Sequence, residues 1–187
     1  MKLLGKKIYR IGLKPYKNGM GQHDRGKDGD PSTGGNSGCC VHPETQISMA
    51  DGTTRAAKDI LIGDKLQTQA GIGTVEVITN PELGLRQLFS YGRGSYFITG
   101  DHPIHTSEGW KSLSPKYSKL DYNTDCKPLK LGDVLTLING DSYKLEKIEG
   151  ESNNPNLVLY DFHMDGNEDA NHTYFANGLL VHNGGGG

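Results

Sequence analysis

Two residues at opposite ends of one stretch of this chain could cut a polypeptide without help from water. Cys40 follows a polar segment and opens CVHPETQISM, and Asn183 closes GLLVHNGGGG just before the final glycines. A thiolate can take an acyl group from the carbonyl of the residue before it, turning an amide into a thioester. An asparagine amide can attack its own backbone carbonyl, close a succinimide and release everything downstream. Both reactions need a proton delivered to a departing nitrogen, and an imidazole titrates near neutral pH, where it can supply one. Each residue also has a plainer reading. A cysteine at a domain edge is usually structural, and a strand can end on Asn because Asn tolerates turn conformations. The imidazoles of HPIH, His102 and His105, could with Cys40 hold a metal, although the spacing matches no common structural zinc pattern.

The elements that must position these residues are short strands. TQISM, KLQTQ, GTVEVIT, QLFSY, SYFIT, DVLTLI, YKLEKIE, LVLYDFHM and TYFANGLLV are rich in β-branched and aromatic residues and bounded by Gly, Asp, Asn or Pro. TTRAAKDIL and SPKYSKL read as brief helices, and the class is all-β. ILIGDKLQT (60–68) and LKLGDVLTL (129–137) share two apolar positions, Gly-Asp, a further apolar position and a Thr. Two such units 69 residues apart predict duplicated halves and a pseudo-twofold fold. Along LVLYDFHM, His163 alternates with Phe162 and Met164, which predicts that it faces solvent.

Composition narrows the classes. Hydrophobic residues make up 34% of 187, with 27 Gly, so loops or tails surround a modest core. A net charge of −2 argues against a nucleic-acid binder. Residues 1–39 carry eight Lys or Arg and three Asp, a balance of +5, and 18–38 is nearly devoid of apolar side chains. That segment reads as an upstream flank and linker. No apolar run is long enough to span a membrane, and no secretory signal opens the chain. Three cysteines form no disulfide framework, so the expected compartment is reducing and cytoplasmic.

Four stretches in order resemble the Hint family, which unites inteins, bacterial intein-like domains and Hedgehog autoprocessing domains. The opening block is matched by Cys40, Thr45, Asp51, Gly52, Ile60, Gly63 and Asp64. YFITGDHPIHT supplies T-x-x-H as Thr99 and His102, LVLYDFHMD supplies Asp161, and HTYFANGLLVHN supplies His172, His182 and Asn183. The resemblance implies a horseshoe-like Hint fold over 40–183, with 1–39 and 184–187 as flanks.

It also implies roles. Cys40 attacks the carbonyl of Cys39, Thr99 orients the scissile bond, and His102 protonates the leaving amine. Asp161 tunes the thiol or relays its proton, and His172 and His182 assist Asn183. The substrate would be the chain's own flanks, the acyl acceptor an external thiol, amine or water, and no cofactor is needed. The domain would act as a monomer, with no nucleic acid or membrane partner. Splicing in the family usually needs Cys, Ser or Thr after the terminal Asn, but here that residue is Gly184, which favours cleavage over splicing. His182-Asn183 resembles the A-type of bacterial intein-like domain. Cys39, directly before the nucleophile, could pair with it as a redox lock. A thiolate beside imidazole could also take up added zinc at Cys40 and His102 as an inhibitor. The alternative readings are an inactive β-module that displays its flanks or binds a partner, and a small metal-binding domain.

Overall fold

The computed structural model describes residues 40–183, apart from 153, 167 and 168. The expectations for the upstream flank with Cys39, and for Gly184 and the glycines after it, fall outside the described residues. Within them the chain is all-β, as the strand pattern predicts. Gln46–Ser48, Thr54–Ala56, Ile104–Thr106, Val134–Thr136, Ser142–Lys144, Thr173–Ala176 and Leu179–His182 belong to one sheet. Leu179–His182 lies between Ile104–Thr106 and Thr173–Ala176, and Gln46–Ser48 flanks the other side of Thr173–Ala176. The first and last strands of the domain are therefore separated by a single strand. A three-stranded sheet pairs Leu88–Ser90 with Ile98–Thr99 and Glu149–Glu151, and another pairs Gly71–Thr79 with Lys65–Thr68 and Asp161–Met164.

The two halves repeat bond for bond. In the first, Gly63 N–H donates to Val75, Val75 N–H donates to Asp64, and the Asp64 carboxylate accepts the Leu61 N–H at 2.8 Å. In the second, Gly132 N–H donates to Leu145, Leu145 N–H donates to Asp133, and the Asp133 carboxylate accepts the Lys130 N–H at 2.9 Å. Gly63 and Gly132 hold φ of 91° and 93°, a left-handed turn conformation that a side chain would strain. Each carboxylate then pairs with a cation from the strand behind it, Arg55 with Asp64 at 2.6 Å and Lys111 with Asp133 at 2.7 Å.

The axis relating the halves runs between Val41 and Ile98, which bridge each other. His42 N–H donates to Phe97 at 2.8 Å, and Thr99 N–H donates to Cys40 at 3.1 Å, a reciprocal pair. Val41, Ile98, Ile47, Ile104, Leu66 and Leu135, all shielded from solvent, belong to the core cluster around this axis. Apolar burial of about 25 cal/mol per Å² is what holds such short strands together.

Local details depart from the sequence pattern in two places, TTRAAKDIL and TYFANGLLV. TTRAAKDIL forms the strand Thr54–Ala56 and a single 3-10 turn, Ala57–Asp59, not a helix. Its amides bond across the chain instead, Ala57 N–H to Thr45 and Lys58 N–H to Pro43. SPKYSKL does form a helix, Pro115–Tyr122, with Pro in its first turn and Asn123 at φ 54° ending it. TYFANGLLV is two strands folded at Asn177 and Gly178, whose φ of 49° and 77° suit the tight Asn-Gly hairpin. Among the described residues no helix is long and apolar enough to cross a membrane.

Candidate functional site

Cys40 has no exposed surface and lies immediately before the axis, where Val41 bridges both Ile98 and Tyr160. These bridges place Cys40 between Thr99, next to Ile98, and Asp161, next to Tyr160. The Cys40 backbone nitrogen, which belongs to the bond joining it to Cys39, donates to Thr99 Oγ1 at 3.2 Å. The turn from Thr99 is closed by the His102 N–H bonding the Thr99 carbonyl at 3.2 Å. That turn aims the fully buried imidazole of His102 towards the Cys40 carbonyl. Neither ring nitrogen of His102 reaches hydrogen-bond geometry with any described residue. In the other half Thr45 stands where His102 does, closing its turn on His42 and donating its hydroxyl to Phe97 at 3.2 Å. The pseudo-symmetry is thus broken by an imidazole on the cysteine side alone.

The downstream end reaches the same region through strand pairing. Val181 registers with Ile104, and the His182 N–H donates to Pro103 at 3.1 Å, so His182 comes beside His102. Asn183 is fully buried; its N–H donates to the His172 carbonyl at 2.9 Å. Both atoms of its side-chain amide lack a hydrogen-bond partner among the described residues, as does Nδ1 of the half-buried His172. An unpaired buried amide is costly. Trp110 packs edge-on against His182 at 5.1 Å and against His105 at 4.9 Å, while His105 Nδ1 is tied to Thr136 Oγ1 at 2.7 Å.

Burial dominates the electrostatics. It pushes the His102 imidazole down to about 3, helped by the neighbouring His182 and opposed by the Cys40 carbonyl. The expected imidazole that titrates near neutrality is therefore not what the structure shows, because a cation there would lose its hydration. Burial raises the Asp161 carboxyl to about 7, with Asp101 adding to the rise and the Phe162 amide and Arg86 opposing it. The Cys40 thiol is also pushed up, first by burial and then by Asp161 and Asp101, against the pull of Arg86.

All seven candidate residues, Cys40, Thr99, His102, Asp161, His172, His182 and Asn183, fall in this one region of the fold. Two neighbours had no role assigned from sequence. Arg86 Nη1 approaches Cys40 Sγ at 3.8 Å. Asp101 is buried, accepts a hydrogen bond from Thr99 and is raised by burial. Asp101 lies inside the T-x-x-H stretch and could have been found there, whereas a lone loop arginine carries no spacing signal. His163 does not face solvent fully. It is half-buried, and its Nε2 lies 3.4 Å from Asp161 Oδ2, because residues two apart share a strand face. Among the described residues no group of three or more His, Cys, Asp or Glu could hold a metal ion.

No protein-family model matches the sequence. No curated protein matches it significantly. Solved structures do. The gp41-1 intein superimposes with a TM-score of 0.58 at 23% identity, over 79% of this chain and 100% of that one. A bacterial intein-like domain from Clostridium thermocellum gives 0.58 at 24%, over 77% and 98%. A DnaB intein from Synechocystis gives 0.56 at 18%, over 78% and 98%. With two β-rich halves folded about one axis and its first and last strands in one sheet, the chain has the Hint fold of inteins and bacterial intein-like domains.

Proposed function

We propose that residues 40–183 form an autoprocessing domain whose substrate is its own flanks. The observation that carries this reading is the hydrogen bond from the Cys40 backbone nitrogen to Thr99 Oγ1 at 3.2 Å, with the His102 imidazole acting on the carbonyl of the same residue. That nitrogen is the one that must leave.

Cys40 Sγ loses its proton, attacks the Cys39 carbonyl carbon and forms the S–C bond of a thioester. The C–N bond breaks, and the nitrogen becomes the free amine of Cys40 by gaining a proton. His102, neutral at physiological pH, serves as a carrier that accepts a proton and hands it to the departing nitrogen. Asp161, poised at about 7, is the base that can take the thiol proton first. Thr99, held by Asp101, keeps the scissile amide aligned. External thiol, amine or water then releases the upstream flank.

At the other end Asn183 Nδ2 attacks its own backbone carbonyl, the bond to Gly184 breaks, and the Gly184 amine takes a proton delivered through His182 and His172. Gly184 offers no side chain to accept the thioester, so cleavage is favoured over splicing. The likeness to inteins supports the fold of such a domain, and the buried, unpaired amide of Asn183 supports a group held ready for a reaction.

Mass spectrometry tests this directly. Cys40→Ala is expected to abolish dithiothreitol-induced release of residues 1–39 while release after Asn183 persists. Asn183→Ala is expected to do the reverse. Thiol-induced upstream release that survives in Cys40→Ala would overturn the assignment of the nucleophile. Unchanged downstream release in Asn183→Ala would point to a contaminating protease.

A further inference from the structure

Arg86 sits between Gly71–Thr79 and Leu88–Ser90, in a segment whose backbone holds its guanidinium from two sides. Nε donates to the Leu83 carbonyl at 3.0 Å, and Nη2 donates to the Glu82 carbonyl at 2.7 Å. The Arg86 backbone N–H also donates to Leu83 at 3.2 Å, so main chain and side chain grip the same carbonyl. Leu83 is 1% exposed and packs with Cys40, Leu88 and Leu159 in one apolar cluster. The clamp is therefore anchored to the wall that encloses the cysteine. The remaining fork nitrogen, Nη1, faces Cys40 Sγ at 3.8 Å.

The charged groups acting on the sulfur are Arg86 from this segment, Asp161 from the strand Asp161–Met164 and Asp101 from the turn before His102. His102 acts on the Cys40 carbonyl and is itself faced by His182. Both carboxyls are buried, and Arg86 pulls on each of them as well as on the sulfur. A thiolate forming between two buried acids without a cation would be strongly opposed. A guanidinium stays charged throughout the accessible pH range and is planar, so it can serve two carbonyls and a sulfur at once.

We propose that Arg86 is a positioning residue for the upstream acyl shift, its backbone-clamped guanidinium stabilising the thiolate as it forms at the Cys40 sulfur against the two buried carboxyls. This rests on the reading of Cys40 as nucleophile. Arg86 neither gives nor takes a proton. The thiol proton leaves towards Asp161, and the negative charge on Sγ is met by Nη1 until the S–C bond forms.

The test is the pH dependence of Cys40 ionisation. It is followed by the NMR shift of the Cβ carbon of labelled cysteine in the full chain carrying Cys39→Ala, with Arg86, Arg86→Lys, Arg86→Gln or Arg86→Met. A cation within about 4–6 Å shifts a thiol by about one to three pH units. Arg86→Gln and Arg86→Met are therefore expected to move the midpoint upward by about one to two units. The thiolate fraction below the midpoint falls about ten- to a hundred-fold. Arg86→Lys, which keeps the charge but loses the fork, falls between.

A residue that merely braced its loop would leave the midpoint in place. An unmoved midpoint in whichever of the Gln and Met variants retains the native thermal transition overturns the proposal. In chains with Cys39 restored, upstream release by dithiothreitol at neutral pH slows by the same factor while release after Asn183 does not. A parent chain that releases nothing would overturn the autoprocessing reading, and the thiol midpoints would still decide whether Arg86 stabilises the Cys40 thiolate.

Discussion

His102 and Asp161 are buried by the same fold and driven in opposite directions, the imidazole down to about 3 and the carboxyl up to about 7. In both cases the neutral form wins, because charge is what burial penalises. At neutral pH the imidazole is free of its extra proton while Asp161 is part ionised, so the residue that titrates in the working range is the acid. Upstream release is therefore expected to rise with pH through about 7 and to lose that inflection in Asp161→Asn, as read by initial rates of thiol-induced cleavage. Stability carries the same signature. Between the ordinary carboxylate value of 3.8 and about 7, Asp161 holds its proton in the folded chain and loses it in the unfolded one. Folding stability is then lost as pH rises through that window, by up to about 1.4 kcal/mol per unit. Asp161→Asn removes this slope. Urea unfolding at several pH values is expected to show the variant gaining on the parent up to about pH 7 and no further. A difference that stays constant with pH would mean Asp161 is not held protonated.

The duplicated Gly-Asp turns show how one local design serves two environments. Each Asp closes its own turn and pairs with a cation from a neighbouring strand, but the pairs are not equally sheltered. The side chains of Lys111 and Asp133 are 2% and 6% exposed, against 42% and 22% for Arg55 and Asp64. Removing Asp133 leaves the buried Lys111 ammonium with the 65% exposed Glu108 at 2.7 Å as its remaining carboxylate, at a cost of about 2–3 kcal/mol, whereas a half-exposed pair is worth about 1 kcal/mol or less. Asp133→Asn is therefore expected to destabilise the chain clearly more than Asp64→Asn, since Asn can still accept the turn's N–H in both. Equal losses in chemical denaturation would show that burial does not distinguish the two halves. The hairpin at Asn177 and Gly178 adds a second tie, because Asn177 bonds Gln46 through both its N–H at 2.8 Å and its side-chain oxygen at 2.9 Å. Those bonds lock the end of the domain onto its beginning.

At the scale of the whole molecule, that closure brings Asn183 into the region of the fold that holds Cys40, and the proposed reading places both reactions there. On that reading, a nucleophile supplied at position 184 would compete for the proposed thioester at an effective concentration far above that of any solute. Gly184 has no such group. Gly184→Cys is expected to convert separate cleavage into ligation of tagged upstream and downstream flanks, seen as a new spliced band on a gel. Efficient ligation in the unaltered chain would overturn this, since some other group would then accept the acyl chain.

Much of this protein was legible as a string. The β-branched runs gave an all-β class because alternation along a strand is local. The Gly-Asp repeat announced two halves because each turn needs a glycine and a carboxylate in fixed order. Cys40 and Asn183 stood out by their chemistry, and Thr99, His102, Asp161, His172 and His182 by the resemblance of their stretches to Hint blocks. Other features were decided only in three dimensions. Arg86 has no periodic or motif partner, and it reaches Cys40, 46 positions away, solely because a loop folds over the apolar cluster. The direction of each titration was equally hidden, since it depends on how much water the surrounding strands remove, and His163 joined Asp161 only once the strand was half covered. Spacing along a chain reports which groups are present and which face of a strand they share. Proximity between distant segments, and the dielectric around them, exist only after the chain has packed.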